Sequence, residues 1–393
     1  MQLLKRLRTP DPRKIHNLLF SHTDLHKFCE SVFKKQRKGI LIMASESYEV
    51  TRLKRQEQAL DEILDDMPPC IQSIFMEIRL DCRPGTVLDY ARDTHEFLLY
   101  LTKANPTLKG KKPKDISVGT LSALTADDVN EFFSSCRTYR TPKGMVRETG
   151  KLRLAGIRSS LSVVFNKLYT KEIITRNPVA SAARFHIPAK KTIDVLEKKE
   201  AKKLLHAVEN TELDIPNAAA RSKRTVLRDT AIVTLLLNSG IRIAELVGLD
   251  LPDVDFDNGC IYIIRKGGAP DKVYLNDQTL GALKDYIDLE RPAYTNGGKE
   301  TALFLSNRQK RMAVRSIQEM LKKYASSALP SRRHLSPHTL RRTYGTALYE
   351  ATGDLKNTQA VLGHTDVRTT SKYYVRESDL RKEQSGRKNL FDI

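Results

Sequence analysis

The apolar pattern of the chain breaks between residues 183 and 195, a segment that ends in IPAKKTIDV. Before the break, apolar residues recur every three or four positions, as they do along one face of a helix. After it, helical stretches alternate with runs rich in β-branched residues. A proline, two lysines and lost periodicity are typical of a linker. The sequence therefore predicts a mainly α fold with a small β-sheet, divided into a helical domain over 46–182, a linker over 183–195 and a mixed α/β domain over 196–373.

The two ends of the chain lie outside these predicted domains. Residues 1–45 are basic, and Pro10 and Pro12 interrupt any early helix, so we assign no domain to this N-terminal extension. Residues 374–393 are expected to form a C-terminal tail.

Helix signals fill the first domain. Thr86 is predicted to cap the helix of PGTVLDYARDTHEFLLYL, and Thr125 with Asp128 forms a capping-box pattern. The segment KLRLAGIRSSLSVVFNKLY has an apolar face, and its other face carries basic residues, namely Arg153, Arg158 and Lys167. These patterns predict an all-helical domain with basic outer faces.

The second domain has clear start and stop signals. LRDTAIVTLLLNSG reads as a buried helix that ends before Gly240, and GCIYIIRK and KVYLN read as a hairpin around GGAPD. Ser336 and Pro337 are predicted to begin a helix. Asp354 opens a further short helix that Gly363 closes.

Charge indicates the class of partner. The chain carries 67 Lys and Arg against 47 Asp and Glu, a formal net charge of +20. Such a surplus favours a polyanion, and nucleic acid is the usual one. No apolar run approaches the roughly 20 residues of a spanning helix. The five cysteines show no zinc or disulfide spacing, so we expect reduced thiols in a cytoplasmic protein.

Four stretches of the second domain combine charge with unusual placement. The candidate residues are Arg242 in SGIRIAEL, Lys266 in IIRKGGAP, His338 and Arg341 in SPHTLRRT, and His364 and Tyr373 in LGHTDVRTTSKYY. Each has a plainer structural interpretation. Arg242 could pair with Glu245, Lys266 could be a solvated lysine at a hairpin tip, and His364 could cap a helix.

Together the six residues fit chemistry at a DNA phosphodiester. Transfer of the phosphorus places extra negative charge on its non-bridging oxygens, and the guanidinium groups of Arg242 and Arg341 can donate to those oxygens. His338 and His364 can add imidazole N–H donors. Several fixed donors of this kind could replace a metal ion, so the sequence predicts neither a metal nor a cofactor.

A tyrosine supplies the nucleophile in this scheme. Tyr373 would form a covalent phosphotyrosine link, and Lys266 would give a proton to the leaving 5′-oxygen. His338 would accept the phenol proton or orient the phosphate. The link stores the energy of the broken bond, so rejoining needs no ATP.

In their order and spacing these residues resemble the tyrosine recombinase family, the phage and transposon integrases. The family pattern is G-[IL]-R-x-x-E-L, a hairpin lysine, H-x-x-R, G-H, and a tyrosine nine residues after that histidine. All six positions are filled here, and Lys266 follows Arg242 by 24 positions (266 − 242). The spacing selects Tyr373 as the nucleophile and leaves Tyr374 as a packing residue.

The resemblance implies a site-specific recombinase that works through a 3′-phosphotyrosyl intermediate and a Holliday junction. It further implies a helical core-binding domain and a catalytic domain that form a C-shaped clamp around double-stranded DNA. The protein would be a monomer in solution and a homotetramer on its recombination sites, with accessory or directionality factors as further partners. The tail over 374–393 is a candidate for exchange between subunits.

Three alternatives stay open from the sequence. A type IB topoisomerase or a telomere resolvase uses similar residues, and a recombinase relic would bind DNA without catalysis.

Many relatives carry basic residues directly after the hairpin lysine, whereas this chain has GGAPD before Lys272. Lys272 is therefore a second candidate for the general acid.

Overall fold

The computed structural model describes residues 48–141, 144–187, 194–211, 224–265, 268–295, 300–332 and 335–363. Its internal contacts divide the chain into two compact units, one of Glu49–Thr192 and one of Ile193–Ile393 together with the segment up to Tyr48. The predictions for both chain ends fall outside the described residues.

The first unit is built from helices around one apolar core. Its helices are α1 (48–64), α2 (Pro69–Asp81), α3 (Pro84–Ala104), α4 (Val118–Ala123), α5 (Ala126–Ser135), α6 (Lys151–Thr170) and α7 (Pro178–Ser181). Phe97 lies at the centre, with its ring centroid 5.0 Å from that of Phe132 and 5.9 Å from that of Phe165. The predicted apolar face of α6 is confirmed by the burial of Leu154, Ile157, Leu161, Phe165 and Leu168.

The helix starts of this unit follow its sequence signals with one exception. The Thr125 hydroxyl accepts a hydrogen bond from the Asp128 N–H (3.3 Å), and the Thr125 N–H donates to the Asp128 carboxylate (2.7 Å), so the capping box is confirmed. The predicted cap at Thr86 is wrong. Helix α3 begins earlier, at Pro84, because proline fixes a helical φ and needs no hydrogen-bond acceptor in the first turn.

The prediction of an all-helical first unit is also wrong. Strands β1 (Thr138–Arg140) and β2 (Val146–Glu148) form a two-stranded antiparallel ribbon between α5 and α6. All six strand residues are exposed, so no buried face imposes the alternation by which strands are recognised. The available signal was the PKG turn sequence between β-forming residues, and Gly144 in that turn has φ +79°.

The second unit combines helices with one small sheet. Its elements are α8 (Lys198–Glu209), α9 (Val226–Ser239), α10 (Ile243–Gly248), β3 (Val254–Asp255), β4 (Cys260–Ile264), β5 (Pro270–Tyr274), α11 (Asp277–Asp285), α12 (Val314–Ala328), α13 (Pro337–Thr352) and α14 (Leu355–Leu362). The predicted buried helix, α9, is confirmed and lies centrally, packed against α8, α11 and α13.

The sheet of this unit is antiparallel in the order β3-β4-β5. The predicted hairpin is confirmed, although Pro270 and Asp271 belong to β5 and not to the turn. Ile261 and Ile263 of β4 are buried. The opposite face carries Lys272, whose Nζ lies 4.7 Å from the ring centroid of Tyr274.

Candidate active site

The chain reverses sharply between α9 and α10, and this turn places Arg242. Gly240 ends α9 with φ +60°, and a Cβ there would lie 2.4 Å from the Tyr344 ring. Both observations require glycine at this position. Arg242 then begins α10 as its N-cap residue.

A carboxylate fixes the direction of the Arg242 side chain. Glu245 accepts from the Arg242 N–H (2.7 Å) and from Arg242 Nη1 (2.8 Å). The Glu245 side chain is only 4% exposed, against 27% for Arg242. The pairing of Arg242 with Glu245, which the sequence offers as a structural role for the arginine, therefore exists. It orients Arg242 towards the end of α14.

Helix α13 carries the second arginine of the motif. The Ser336 hydroxyl accepts from the Thr339 N–H (3.2 Å), so the predicted start of α13 is confirmed. Arg341 is 3% exposed and donates from Nη1 to the Gly240 carbonyl oxygen (2.5 Å). This bond ties α13 to the turn that places Arg242.

Three consecutive carbonyl oxygens at the C-terminal end of α14 each accept from a different arginine. The pairs are Arg265 Nη2 to Val361 O (2.8 Å), Arg341 Nη2 to Leu362 O, and Arg242 Nη2 to Gly363 O (2.9 Å). These carbonyls have no partner within the helix and carry the negative end of its dipole, which favours cations there. We call Arg242, Arg265 and Arg341 the arginine cluster.

Arg265 is the member of the arginine cluster that sequence reasoning missed. Its Nε donates to Asp271 Oδ2 (2.7 Å), its Nη1 to Glu245 Oε2 (3.3 Å), and its side chain is 10% exposed. A signal existed in strand alternation, because Arg265 continues the series of Ile261 and Ile263 on the buried face. A buried cation on that face requires acidic partners, which Glu245 and Asp271 provide.

His338 begins the same helix as Arg341. The residue is exposed, yet loss of hydration near the protein surface lowers the pKa of its imidazole below the ordinary 6.5. The positive charges of Arg342, Arg341 and Arg242 lower this pKa further. His338 is therefore neutral at pH 7 and can accept a proton.

Of the predicted site residues, the structure brings Arg242, His338 and Arg341 into one place. Lys266, His364 and Tyr373 lie outside the described residues, although Lys266 follows Arg265 and His364 follows Gly363 in the sequence. In the part of the chain that the structure describes, no three His, Cys, Asp or Glu side chains are grouped as a metal site requires.

The second general-acid candidate, Lys272, lies on the outer face of the hairpin. It pairs across the strands with Tyr262, whereas its neighbour Asp271 pairs with Ile263 and contacts Arg265. The side chain of Lys272 therefore points away from the arginine cluster.

Comparison with known proteins identifies the family. Residues 194–381 match the model of the Phage integrase family. The tyrosine recombinase XerC of Caldanaerobacter subterraneus subsp. tengcongensis is 29% identical over 344 residues, which cover 84% of this chain and 89% of that protein. The tyrosine recombinase XerS of Streptococcus pyogenes is 30% identical over 317 residues, which cover 73% of this chain and 86% of that protein. The chain belongs to the tyrosine recombinase family.

Solved structures confirm the tyrosine recombinase fold. The post-cleavage complex of the XerH site-specific recombinase with palindromic difH has a TM-score of 0.55 at 19% identity, covering 76% of this chain and 78% of that one. The Tn1549 transposon integrase with transposon right end DNA also has a TM-score of 0.55, at 18% identity, covering 81% and 99%. Within the described ranges, none of the recombinase's helices is long and apolar enough to cross a membrane.

Proposed function

We propose that the protein is a site-specific DNA recombinase that cuts and rejoins double-stranded DNA through a phosphotyrosine link at Tyr373. Family membership supports the class of reaction. The observation that carries the assignment to this site is the convergence of the arginine cluster on one helix end, with both motif arginines in it. His338 beside the cluster supplies a neutral imidazole.

The phosphate would be held by the two motif arginines of the cluster, Arg242 and Arg341. A guanidinium has five N–H donors, and the contacts of Arg242 with Glu245 and Gly363 use only some of them. Donors fixed before the reaction stabilise the charge that develops on the non-bridging oxygens, typically by roughly 2.7–4 kcal/mol each. The acceptors around Arg242 and Arg341 hold these side chains in place before DNA arrives.

Cleavage then exchanges one phosphodiester for another. The Tyr373 phenol oxygen forms a bond to phosphorus while the bond to the 5′-oxygen breaks. The phenol proton passes to His338, and Lys266 gives a proton to the leaving 5′-oxygen. We assign this role to Lys266 because Lys272 lies on the other face of the hairpin. Attack of a 5′-hydroxyl on the phosphotyrosine reverses these steps, so rejoining needs neither ATP nor a metal.

The proposal extends to the assembly that performs recombination. The XerH structure contains palindromic difH substrate and the Tn1549 integrase structure contains transposon right end DNA, which supports DNA as the partner here. We infer that four copies act together through a Holliday junction. The helical unit over 49–192 would provide DNA binding, and the tail over 374–393 would pass to a neighbouring subunit.

The target sequence is found and the function tested in one experiment. The protein is incubated with fragmented genomic DNA of its source, covalent complexes are captured in detergent, and the joined DNA ends are sequenced. We expect a recurrent sequence joined through its 3′-phosphate. Nicked duplexes built on that sequence should accumulate the covalent complex, because the released strand cannot rejoin. DNA binding without any covalent complex would contradict the proposal and favour a non-catalytic relic.

A further inference from the structure

We infer that Arg265 is a positioning residue that fixes the hairpin before Lys266 to the helix end before His364. This inference rests on the proposed function. Arg265 stands at the end of β4, and its Nη2 donates across to the carbonyl oxygen of Val361 in α14 (2.8 Å). One side chain thus links two segments that are 96 residues apart in the sequence.

The contact between the two segments is close as well as polar. Gly363 has φ +59°, and a Cβ at this position would lie 2.8 Å from Arg265 Nε. The absence of a side chain at Gly363 therefore lets the backbone approach the guanidinium. Any larger residue would push the end of α14 away from the hairpin.

Two carboxylates hold the Arg265 guanidinium in its plane. Asp271 accepts from Nε within the hairpin, and Glu245 accepts from Nη1. Glu245 also accepts from Arg242, so it connects Arg265 directly to a motif arginine. Lysine would bring the same charge, but a single ammonium group cannot reach the three acceptors in these directions.

The expected consequence is a defect in proton donation to the leaving group. A displacement of about 1 Å at a reacting group can lower a rate by about 10²-fold. Replacing Arg265 should therefore slow cleavage by about 10- to 100-fold while DNA affinity stays nearly unchanged. The loss of cleavage rate should come mainly from the donation of a proton by Lys266, because Arg265 directly precedes Lys266 in the chain.

A sulfur leaving group separates this role from simple stabilisation. In a duplex with sulfur in place of the bridging 5′-oxygen at the cleavage site, the 5′ end of the released strand leaves as a thiolate, which needs no proton. Single-turnover covalent complex formation is compared on the oxygen and sulfur substrates for wild type, K266A, R265Q and R265K. The control is R332Q, because Arg332 also bonds two carboxylates, Glu200 and Asp194, within the same unit.

On the oxygen substrate we expect R265Q and K266A to be slow and R265K to be intermediate. On the sulfur substrate R265Q and K266A should regain about tenfold or more relative to wild type, and R265K should regain its smaller loss. The R332Q control should show no such difference between the two substrates. If R265Q does not fold, Asp271→Asn, which weakens one Arg265 contact, should show the same selectivity to a smaller extent. If the sulfur substrate restores the cleavage rate of K266A but not that of the Arg265 or Asp271 variants, the inference about Arg265 is overturned and the proposed function still stands. Absence of any covalent complex with wild type would overturn the proposed function.

The exposed ribbon β1–β2 carries a second inference, on independent grounds. Among the described residues, no acceptor pairs with the side chains of Arg137, Arg140 or Arg147, and all three are exposed. Three of the four basic residues of α6 differ, because each of the three has an internal partner. Arg153 bonds Asp93, Arg158 bonds the carbonyl oxygens of Val179 and Ala183, and Lys167 pairs with Glu77.

The geometry points to the ribbon as a contact for duplex DNA, an inference that again rests on the proposed function. A two-stranded ribbon fits the major groove, and its unpaired arginines complement the phosphates on either side. On the predicted basic face of α6, in contrast, Arg153 and Lys167 pair with carboxylates, and backbone carbonyl oxygens hold Arg158. DNA contact by the first unit should therefore depend on the ribbon more than on these α6 residues.

Salt dependence of binding tests the ribbon. The double variant R140Q/R147Q is compared with K167Q/K171Q, which removes the same charge from residues that pair with Glu77. We expect the ribbon variant to bind the captured duplex more weakly and to lower the slope of log affinity against log salt by about 1 per arginine. The control slope should stay unchanged. Equal slopes for the two double variants would overturn this inference alone, because the covalent complex that supplied the duplex has then already supported the proposed function.

Discussion

The two hairpins of the protein differ in how they are held. In β4–β5, Ile261, Ile263 and Val273 are buried, and Arg265 ties the end of β4 to α14. In β1–β2, every strand residue is exposed, and the two strands pair with each other. The β4–β5 hairpin is therefore fixed relative to the site, while the β1–β2 ribbon presents charged side chains outward.

This difference matches the two roles that we propose for the hairpins. A group that transfers a proton must be placed accurately, so its hairpin needs buried side chains and directional hydrogen bonds. A ribbon that follows DNA phosphates gains from available charge and tolerates adjustment.

The largest effect is expected from the motif arginines. Arg242→Ala and Arg341→Ala should each lower single-turnover cleavage by about 10²- to 10³-fold, because in the proposed mechanism both arginines meet charge that develops during the reaction. DNA affinity should fall only modestly. Arg341→Ala should also lower the melting temperature, since Arg341 is buried against Gly240 and Leu362. A loss of affinity as large as the loss of rate would contradict this assignment.

Glycine substitutions compare the contact between the β4–β5 hairpin and α14 with the turn of the β1–β2 ribbon. Gly363→Ala should destabilise the fold by at least about 1–2 kcal/mol from its left-handed φ and slow cleavage, because the new Cβ meets Arg265. Gly144→Ala in the ribbon turn has a similar φ, +79°, but its Cβ would meet nothing within 4 Å. Thermal melts and cleavage rates should show a stability change for both variants and a cleavage defect for Gly363→Ala alone.

The pH dependence reports on His338. Its lowered pKa keeps the imidazole neutral to a pH below the ordinary 6.5, so cleavage should hold there and fall only at more acidic pH. His338→Gln should be slower and should lose this part of the acid limb. As the pH falls, the imidazole of His338 takes up a proton in the unfolded chain at a higher pH than in the folded protein. Its protonation therefore favours the unfolded chain, so the free energy of unfolding falls as the pH drops below 6.5. Identical pH profiles for the two proteins would rule out proton transfer by His338.

The smallest effect is expected from Lys272. It lies on the outer face of β5 over Tyr274, away from the arginine cluster. Lys272→Ala should change the cleavage rate by no more than about twofold, as is usual for surface positions. A loss as large as that of K266A on the oxygen substrate, with recovery on the sulfur substrate, would transfer the general-acid role to Lys272.

Local signals predicted much of the fold and part of the site. Gly240 and Gly363 mark helix ends, and Ser336 marks a helix start, because each satisfies a backbone requirement that is visible in a few residues. The motif identified Arg242 and Arg341 from their spacing. These features depend on residues close together in the sequence.

Features that depend on distant contacts were missed. The bond between Arg265 and Val361 spans 96 residues and exists only because α14 packs beside the hairpin. The partners of Arg153 and Arg158 likewise come from other helices, so a basic helix face in the sequence was not a free basic surface in the fold. The ribbon was not predicted for a different reason: its six strand residues are all exposed, so they show no alternation of apolar and polar residues.

The most direct test maps the residue that is joined to DNA. The covalent complex trapped on a nicked duplex is digested with protease and nuclease, and the modified peptide is sequenced by mass spectrometry. The account predicts a 3′-phosphonucleotide on Tyr373 and its loss in Tyr373→Phe, with Tyr374→Phe unaffected. Attachment at Tyr374 or at any residue other than Tyr373 would contradict it.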